Sequence, residues 1–502
     1  MPTDQPDVPC RRRPTRPAFR IETLVAVAVG ALGGCGTPGV RGVAGTAPAP
    51  NVSWTPPRGS QAPPQPAPLP EMPPDLAARV ARLKLADVID IALRNNTATS
   101  ASWADARAAA ASYGGAQGQY YPTLSVDGTV TAIKTVATAG RLATKQQFFS
   151  PTLNLSWLLF DFGGRSGSVG EAREALLAAD WTHNATLQNV VLAVEQAYFQ
   201  YLGTKALLVA QLTTVKEAQT NLEAADQRHR VGLATIADVL QAKTALSQAQ
   251  LNLEATEGSL QTTRGALALS MGLPANVPYD IALPSDTTIP LGVSDSVDTL
   301  IARAVRERPD LAAQRAQVAA ARARLSVARS QALPSLSVGG STAETDVLSR
   351  SPVFRNSYTA TVTVSIPLFS GGSQIFGIKA AAAAADAAAQ RARGFEQQVI
   401  FQVFDAYYAI RTATQQVRTS ADLLASATQS EQVALGRYKA GAGSLLDLLT
   451  AEAALASARA QAIQARFSWY IAFAQLAHDV GILGLDGGSP LRVQTDTTGT
   501  PK

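Results

Sequence analysis

Arg437-Tyr438-Lys439-Ala440-Gly441-Ala442-Gly443-Ser444-Leu445-Leu446-Asp447-Leu448-Leu449 decides how the rest of the chain is read. An earlier copy runs Arg228-His229-Arg230-Val231-Gly232-Leu233-Ala234-Thr235-Ile236-Ala237-Asp238-Val239-Leu240. Arg, Gly, Asp and Leu recur in phase about 209 residues apart, far beyond solenoid periods, which points to duplication of a whole half-chain. In each copy Gly and small residues interrupt two long segments rich in Ala, Leu and Gln. Gly permits a backbone reversal that a side chain resists, so each copy reads as the tip of a helical hairpin. Asp238 and Asp447 then fall in the first turns of the returning helices, where the N-terminal dipole favours a carboxylate. That structural role stands beside a functional one for the same two residues.

Charged residues make up only 16% of the 502, and Ala, Gln, Ser and Thr are abundant, a mix that suits long helices meeting through small side chains. The formal charge of +5 is small and partly owed to the arginines of the N-terminus, so nucleic acid is not an expected partner. Cys10 and Cys35 are the two cysteines, too few for a disulfide framework or a thiolate metal cluster.

Arg11, Arg12, Arg13, Arg16 and Arg20 precede an apolar run from Ile21 to Leu32 that is too short to anchor in a bilayer. The run ends in Leu32-Gly33-Gly34-Cys35, which resembles the bacterial lipoprotein box. The resemblance implies a signal peptide over 1–34, a covalent lipid on Cys35 and, with Gly36 next, export to the outer membrane. Gly34 to Gly39 also fits G-x-G-x-x-G, but no strand precedes it and no helix follows, so the dinucleotide reading fails. Residues 35–74, rich in Pro, Gly, Ala and Ser, read as an extended tether.

The first repeat is assigned to 75–283. Leu85, Val88, Ile89, Ala92 and Leu93 mark a helix expected to continue to about Gly118. Leu124, Val126, Val130 and Ala132 alternate with Thr123, Ser125, Thr129 and Thr131, and Leu153, Leu155, Trp157 and Leu159 alternate with Thr152, Asn154 and Ser156. Both stretches predict strands, and the segment holding Arg141 and Lys145 predicts an exposed loop between them. From Phe160-Asp161-Phe162-Gly163-Gly164 to Arg230 the chain has no Pro, a helix of roughly 100 Å. After the tip the chain returns to Met271-Gly272-Leu273-Pro274.

The second repeat, 284–483, follows the same plan, with a flexible tail over 484–502. A helix is expected from Val297 to Gln331, although Glu307-Arg308-Pro309-Asp310 echoes the region of Asn95-Asn96-Thr97. Leu333-Pro334-Ser335-Leu336-Ser337-Val338 matches Tyr121-Pro122-Thr123-Leu124-Ser125-Val126. Tyr358, Ala360, Val362, Val364, Ile366 and Leu368 alternate with Thr359, Thr361, Thr363 and Ser365 in the clearest strand of the chain. Pro367-Leu368-Phe369-Ser370-Gly371-Gly372 mirrors the earlier strand-to-helix join, and the second long helix leads to the tip at Gly441.

Four amphipathic strands facing lipid must close on themselves, because open edges leave backbone groups unpaired in hydrocarbon. The smallest membrane barrels have about eight strands, so several chains must pool theirs. Periodicity requires pooling without fixing the number of copies. The lipobox, the duplicated helix–strand–strand–helix plan, the two joins and the two Gly…Asp tips together resemble the TolC-type outer-membrane efflux family, nearest its lipidated NodT-type branch. The match covers nearly everything from Leu85 to Gly481. It implies an α+β membrane protein, a homotrimer whose twelve-stranded transmembrane β-barrel continues into a periplasmic α-helical barrel. Its tips would dock on a periplasmic adaptor that meets an inner-membrane pump of resistance-nodulation-division type, in contact with outer-membrane lipid.

By the same resemblance Asp238, Asp447 and Tyr438 belong to a constriction that closes the periplasmic end, Tyr438 latching neighbouring hairpins with Asp238 as its carboxylate partner. Gly443 stands where some members carry a latching Arg, and Thr450 where they carry a second acidic residue. Arg228, Arg230, Gly232, Arg437, Lys439, Gly441 and Gly443 are the candidate adaptor contacts at the tips. His183, His229 and His478 are scattered without ligand-spaced partners, and no P-loop or nucleophile elbow is present, so no catalytic residue, metal or cofactor is expected beyond the lipid. Type I protein secretion, a trimeric adhesive or structural tether and a soluble helical scaffold remain the rivals, and the lipobox favours small-molecule export.

Overall fold

A computed structural model describes residues 83–134, 145–283, 295–347 and 355–483. The lipobox with Cys35, the tether, Arg141 and the C-terminal tail lie outside them. The chain builds α1 (Leu85–Asn95), α2 (Thr97–Gln117), β1 (Thr123–Lys134), β2 (Lys145–Phe160), α3 (Gly164–Arg230), α4 (Ile236–Ser270), α5 (Val297–Glu307), α6 (Pro309–Ser330), β3 (Ser335–Val347), β4 (Arg355–Ser365), α7 (Ser373–Lys439) and α8 (Leu445–Val480). Helices α3 and α7 are each 67 residues long, as the Pro-free stretch before Arg230 predicts for the first.

Two expected continuous helices are each broken. Asn96 leaves the helix and accepts a hydrogen bond from Ala98 N at 2.8 Å, starting α2, while its amide donates to the carbonyl of Ser270 at 3.2 Å. In the second repeat Pro309 begins α6 and forces Arg308 into an extended conformation. Arg308 is buried, and its guanidinium donates to Asp310, to Gln402 Oε1 at 2.7 Å and to the carbonyl of Asp479 at 3.3 Å. Each break therefore ties a short helix to the end of a returning one. Around them lies the core, with Val88 and Ile91 of α1, Val194 and Leu202 of α3, Leu267 of α4, Leu300 of α5, Val403 and Ile410 of α7, and Trp469 and Leu476 of α8. Helix α3 packs against α2, α4, α6 and α8, and α7 packs against α5, α6 and α8.

The four strands form one antiparallel sheet in the order β1-β2-β3-β4. Register places the apolar residues of the four strands on one face: Val126 lies opposite Leu153, Trp157 opposite Val338 and Val338 opposite Val362, while Thr342 sits between Leu153 and Tyr358. Ser125, Asn154, Ser341 and Thr359 form a rung on the other face. The apolar face is uncovered within one chain, Val126 being 74% and Tyr358 88% exposed. Among the described residues no helix is long and apolar enough to cross a membrane.

Lys145, expected in a loop, instead opens β2 opposite Lys134. At the other end β4 stops at Ser365, leaving Ile366 and Leu368 beyond the strand. A bulge between Leu158 and Phe160 adds one residue to β2, so Phe160 pairs with Leu336 and takes the apolar face that simple alternation gives to Leu159. Arg165 donates to the carbonyl of Leu159 at 2.6 Å, satisfying the group that the bulge removes from the ladder. Along β2, Phe149 and Phe160 lie roughly 36 Å apart. At a strand tilt of about 40° that is roughly 27 Å of height, close to an apolar membrane band bounded by aromatic girdles.

Four left-handed positions recur at the same offset of about 209 residues: Phe162 and Gly371, Gly163 and Gly372, Gly232 and Gly441, Gly272 and Gly481. The duplication is thus written in backbone dihedrals. A Cβ on Gly272, where φ is 74°, would lie 2.6 Å from the backbone of Asn95, whereas nothing lies within 4 Å of one on Gly232. Gly272→Ala is expected to cost about 3 kcal/mol or more and Gly232→Ala about 1 kcal/mol, read as midpoint shifts in thermal unfolding.

Candidate functional site at the helical tips

Both hairpins turn with the same backbone bonds. Leu233 N donates to Arg228 O at 2.7 Å across Gly232, and Ala442 N donates to Arg437 O at 2.9 Å across Gly441. Each bond spans five residues, the closure expected when a glycine in the left-handed region ends a helix. Thr235 and Ser444 then cap the returning helices.

Asp238 and Asp447 complete capping boxes. Thr235 N and Thr235 Oγ1 both donate to Asp238 Oδ2 at 2.8 Å, and Asp238 N donates back to Thr235 Oγ1 at 3.3 Å. Ser444 N donates to Asp447 Oδ2 at 3.2 Å, and Asp447 N donates to Ser444 Oγ at 3.1 Å. The backbone and hydroxyl bonds from Thr235 hold the Asp238 carboxyl below its ordinary range, and those from Ser444 do the same for Asp447. In each box the described bonds to the carboxylate fall on Oδ2. The helix-terminal role expected for the two residues is therefore present within one chain, and it fixes the direction of each carboxylate.

Among the described residues Tyr438 and Asp238 form no hydrogen bond within a chain, the Asp238 carboxylate being taken up by Thr235. The Tyr438 ring lies under the guanidinium of Arg228, 4.5 Å from its centroid, and joins a cluster of Ala225, Ala242, Leu445 and Leu448 that holds one hairpin to the other. Arg230 is paired with Asp226, and Arg437 reaches the carbonyl of Ala442 at 3.4 Å, so three of the tip cations are engaged locally. A Cβ on Gly443 would meet that of Arg437 at 3.1 Å, so a longer residue there requires Arg437 to give way. His229 Nδ1 lies 3.0 Å from the carbonyl of Ala234, a contact within the turn. Among the described residues no group of three His, Cys, Asp or Glu is placed to hold a metal ion.

Above the tip is a ladder that the sequence analysis missed. Arg459 of α8 forms a two-pronged pair with Glu217 of α3 at 2.9 to 3.2 Å. One turn further along α3, Asn221 Nδ2 donates to both carboxylate oxygens of Glu452 at 2.7 and 2.6 Å. Glu217, Asn221, Ala225 and Arg228 thus form one face of α3, running antiparallel to Arg459, Glu452, Leu448 and Leu445 on α8. Their spacing of three and four residues was the available signal, but only the pairing of distant helices gives it meaning.

Burial pushes the Glu452 carboxyl up, and the charges of Glu217 and Glu431 add to that against the Asn221 hydrogen bond. A carboxyl raised in the folded state contributes stability when protonated and loses it as pH rises. Glu452→Gln, which keeps an acceptor for Asn221, is expected to melt higher than the parent at pH 8. The gap should close as pH falls below the ordinary carboxylate range, in thermal melts followed by circular dichroism.

The family model described as outer membrane efflux protein matches residues 88–273 and 300–481, one match in each repeat. Protein CyaE of Bordetella pertussis is 29% identical over 427 residues, covering 83% of this chain and 88% of that protein. A membrane protein from Pseudomonas aeruginosa has the same fold at a TM-score of 0.73 and 23% identity, covering 80% of this chain and 95% of its own. The CmeC outer membrane channel of Campylobacter jejuni follows at 0.70 and 19%, covering 81% and 86%. With both repeats matched and the twin hairpins and amphipathic sheet in place, the chain belongs to the outer membrane efflux protein family, channels that join a shared β-barrel to a helical barrel.

Proposed function

We propose that three copies of this chain form a passive duct for small molecules, fed at the helical tips by a periplasmic adaptor and an inner-membrane pump of resistance-nodulation-division type. The observation that supports this is the incompleteness of one chain. Its sheet presents an uncovered apolar face and strands β1 and β4 with one unpaired edge each, which only further copies can complete in a bilayer. The lipid expected on Cys35 would fix each copy to the outer membrane through the tether of residues 35–74, as in the lipidated branch of the family.

The gate we assign to Asp238, Asp447 and Tyr438. Threefold symmetry sets three Asp447 around one axis, each carboxylate held by its own cap and unable to swing away from the others without breaking it. Like charges converging there repel, draw in cations and make an empty closure costly. Arg228 and Arg437, with Gly232, Gly441 and Gly443 at the turns, form the surface offered to the adaptor. Energy for export comes from the pump, because this chain is a channel and not an enzyme.

In planar bilayers Asp447→Ala is expected to raise single-channel conductance and to relieve blockade by divalent cations. Unchanged conductance with unchanged blockade would remove the carboxylate ring. Loss of the chain should sensitise cells to dyes, antibiotics, solvents or metal ions in growth assays. Defective release of a protein with no change in those sensitivities would instead assign it to type I secretion.

A further inference from the structure

The polar face of the sheet is almost free of charge. From β1 it carries Thr123, Ser125, Asp127, Thr129 and Thr131, and the facing positions of β2, β3 and β4 are Ser, Thr, Asn, Gly and Ala along most of their length. Among the residues of that face whose side chains are described, Asp127 is the single charged one. Lys134, Lys145 and Glu344 share the parity of the apolar face near the loops, whereas Arg355, opposite Thr345, stands at a polar-face position of β4, one rung beyond that of Asp127 toward the outer end of the sheet. The rung of Asp127 continues through Thr152, Ala343 and Ser357, all neutral.

Asp127 is also held in place. Asn154 Nδ2 donates to its Oδ2 at 2.6 Å, and Ser125 Oγ lies 3.4 Å from the same oxygen. It stands four residues from the helix end of β1, roughly 13 Å along the strand, where the helical barrel opens into the sheet.

We propose that Asp127 sets the ionic preference of the barrel lumen, three copies forming one ring that favours cationic over anionic solutes. The inference rests on the reading that three chains close one barrel with the polar face inward. Twelve strands spaced about 4.8 Å apart and tilted about 40° make a perimeter of roughly 75 Å and a backbone radius of roughly 12 Å. An aspartate reaching inward brings its carboxylate to roughly 8 Å from the axis, the Debye length at about 0.15 M salt. A solute on the axis therefore feels the ring at physiological ionic strength, feels it strongly near 0.01 M, and loses it near 1 M. No bound ion is needed. The ring acts on whatever passes, and its reach is set by screening.

The test is reversal potential in planar bilayers across a KCl gradient of about 0.02 to 0.2 M, in an Asp238→Asn, Asp447→Asn background that removes the tip carboxylates. The expected result is a cation preference that falls severalfold in permeability ratio on Asp127→Asn, returns with Asp127→Glu, and vanishes for every variant near 1 M salt. Open channels whose low-salt selectivity is unchanged by Asp127→Asn would overturn the assignment while leaving the shared barrel intact. Failure of the parent chain to form any conducting pore would overturn the barrel reading and this inference together.

Discussion

Unpaired backbone groups along β1 and β4 govern the rest of the molecule. Each edge leaves a row of N–H and C=O groups that hydrocarbon cannot satisfy, at a cost of several kcal/mol per group. A four-stranded sheet with Val126 and Tyr358 on its apolar side is therefore one segment of an unfinished structure. Completion by further copies brings the helices beneath each sheet into the same ring. The long hairpins are then fixed in number and direction by a hydrogen-bonding requirement at the opposite end of the molecule. Little in the helices themselves demands a barrel: most of their buried positions are Ala, Val and Leu that would suit any bundle.

What could be read in advance was what local chemistry decides. The tips were legible because Gly232 and Gly441 must adopt positive φ, and Thr235 with Asp238 and Ser444 with Asp447 bear the spacing of capping boxes. The strands were legible by alternation, and the long helices by the absence of Pro. The interruptions at Asn96 and Arg308 were visible only as an echo between repeats, because neither residue announces that its side chain will bond to a helix end far along the chain. The ladder of Glu217, Asn221, Glu452 and Arg459 was hidden for the same reason. On each helix taken alone these residues look like a solvated polar stripe.

Alternation also has a blind spot, and the bulge in β2 falls in it. A period of two assigns Leu159 outward, but a single extra residue reverses parity from that point on. Nothing in Trp157-Leu158-Leu159-Phe160 distinguishes the two registers, since all four side chains are apolar. The geometry is decided by Arg165, whose guanidinium takes up the freed carbonyl, and by pairing with Leu336 across the sheet.

That reversal has a mechanical consequence. With Phe160 turned outward beside Trp157, the inner rim of each barrel segment gains a bulky ring at headgroup depth, where aromatic side chains resist both sinking and rising. The molecule is thereby pinned vertically at the joint from which α3 departs. Helices roughly 100 Å long hang from that joint, so a slip of one strand residue would carry the far ends up or down by about 3 Å. A one-residue irregularity at the membrane surface thus calibrates how far into the periplasm the duct extends.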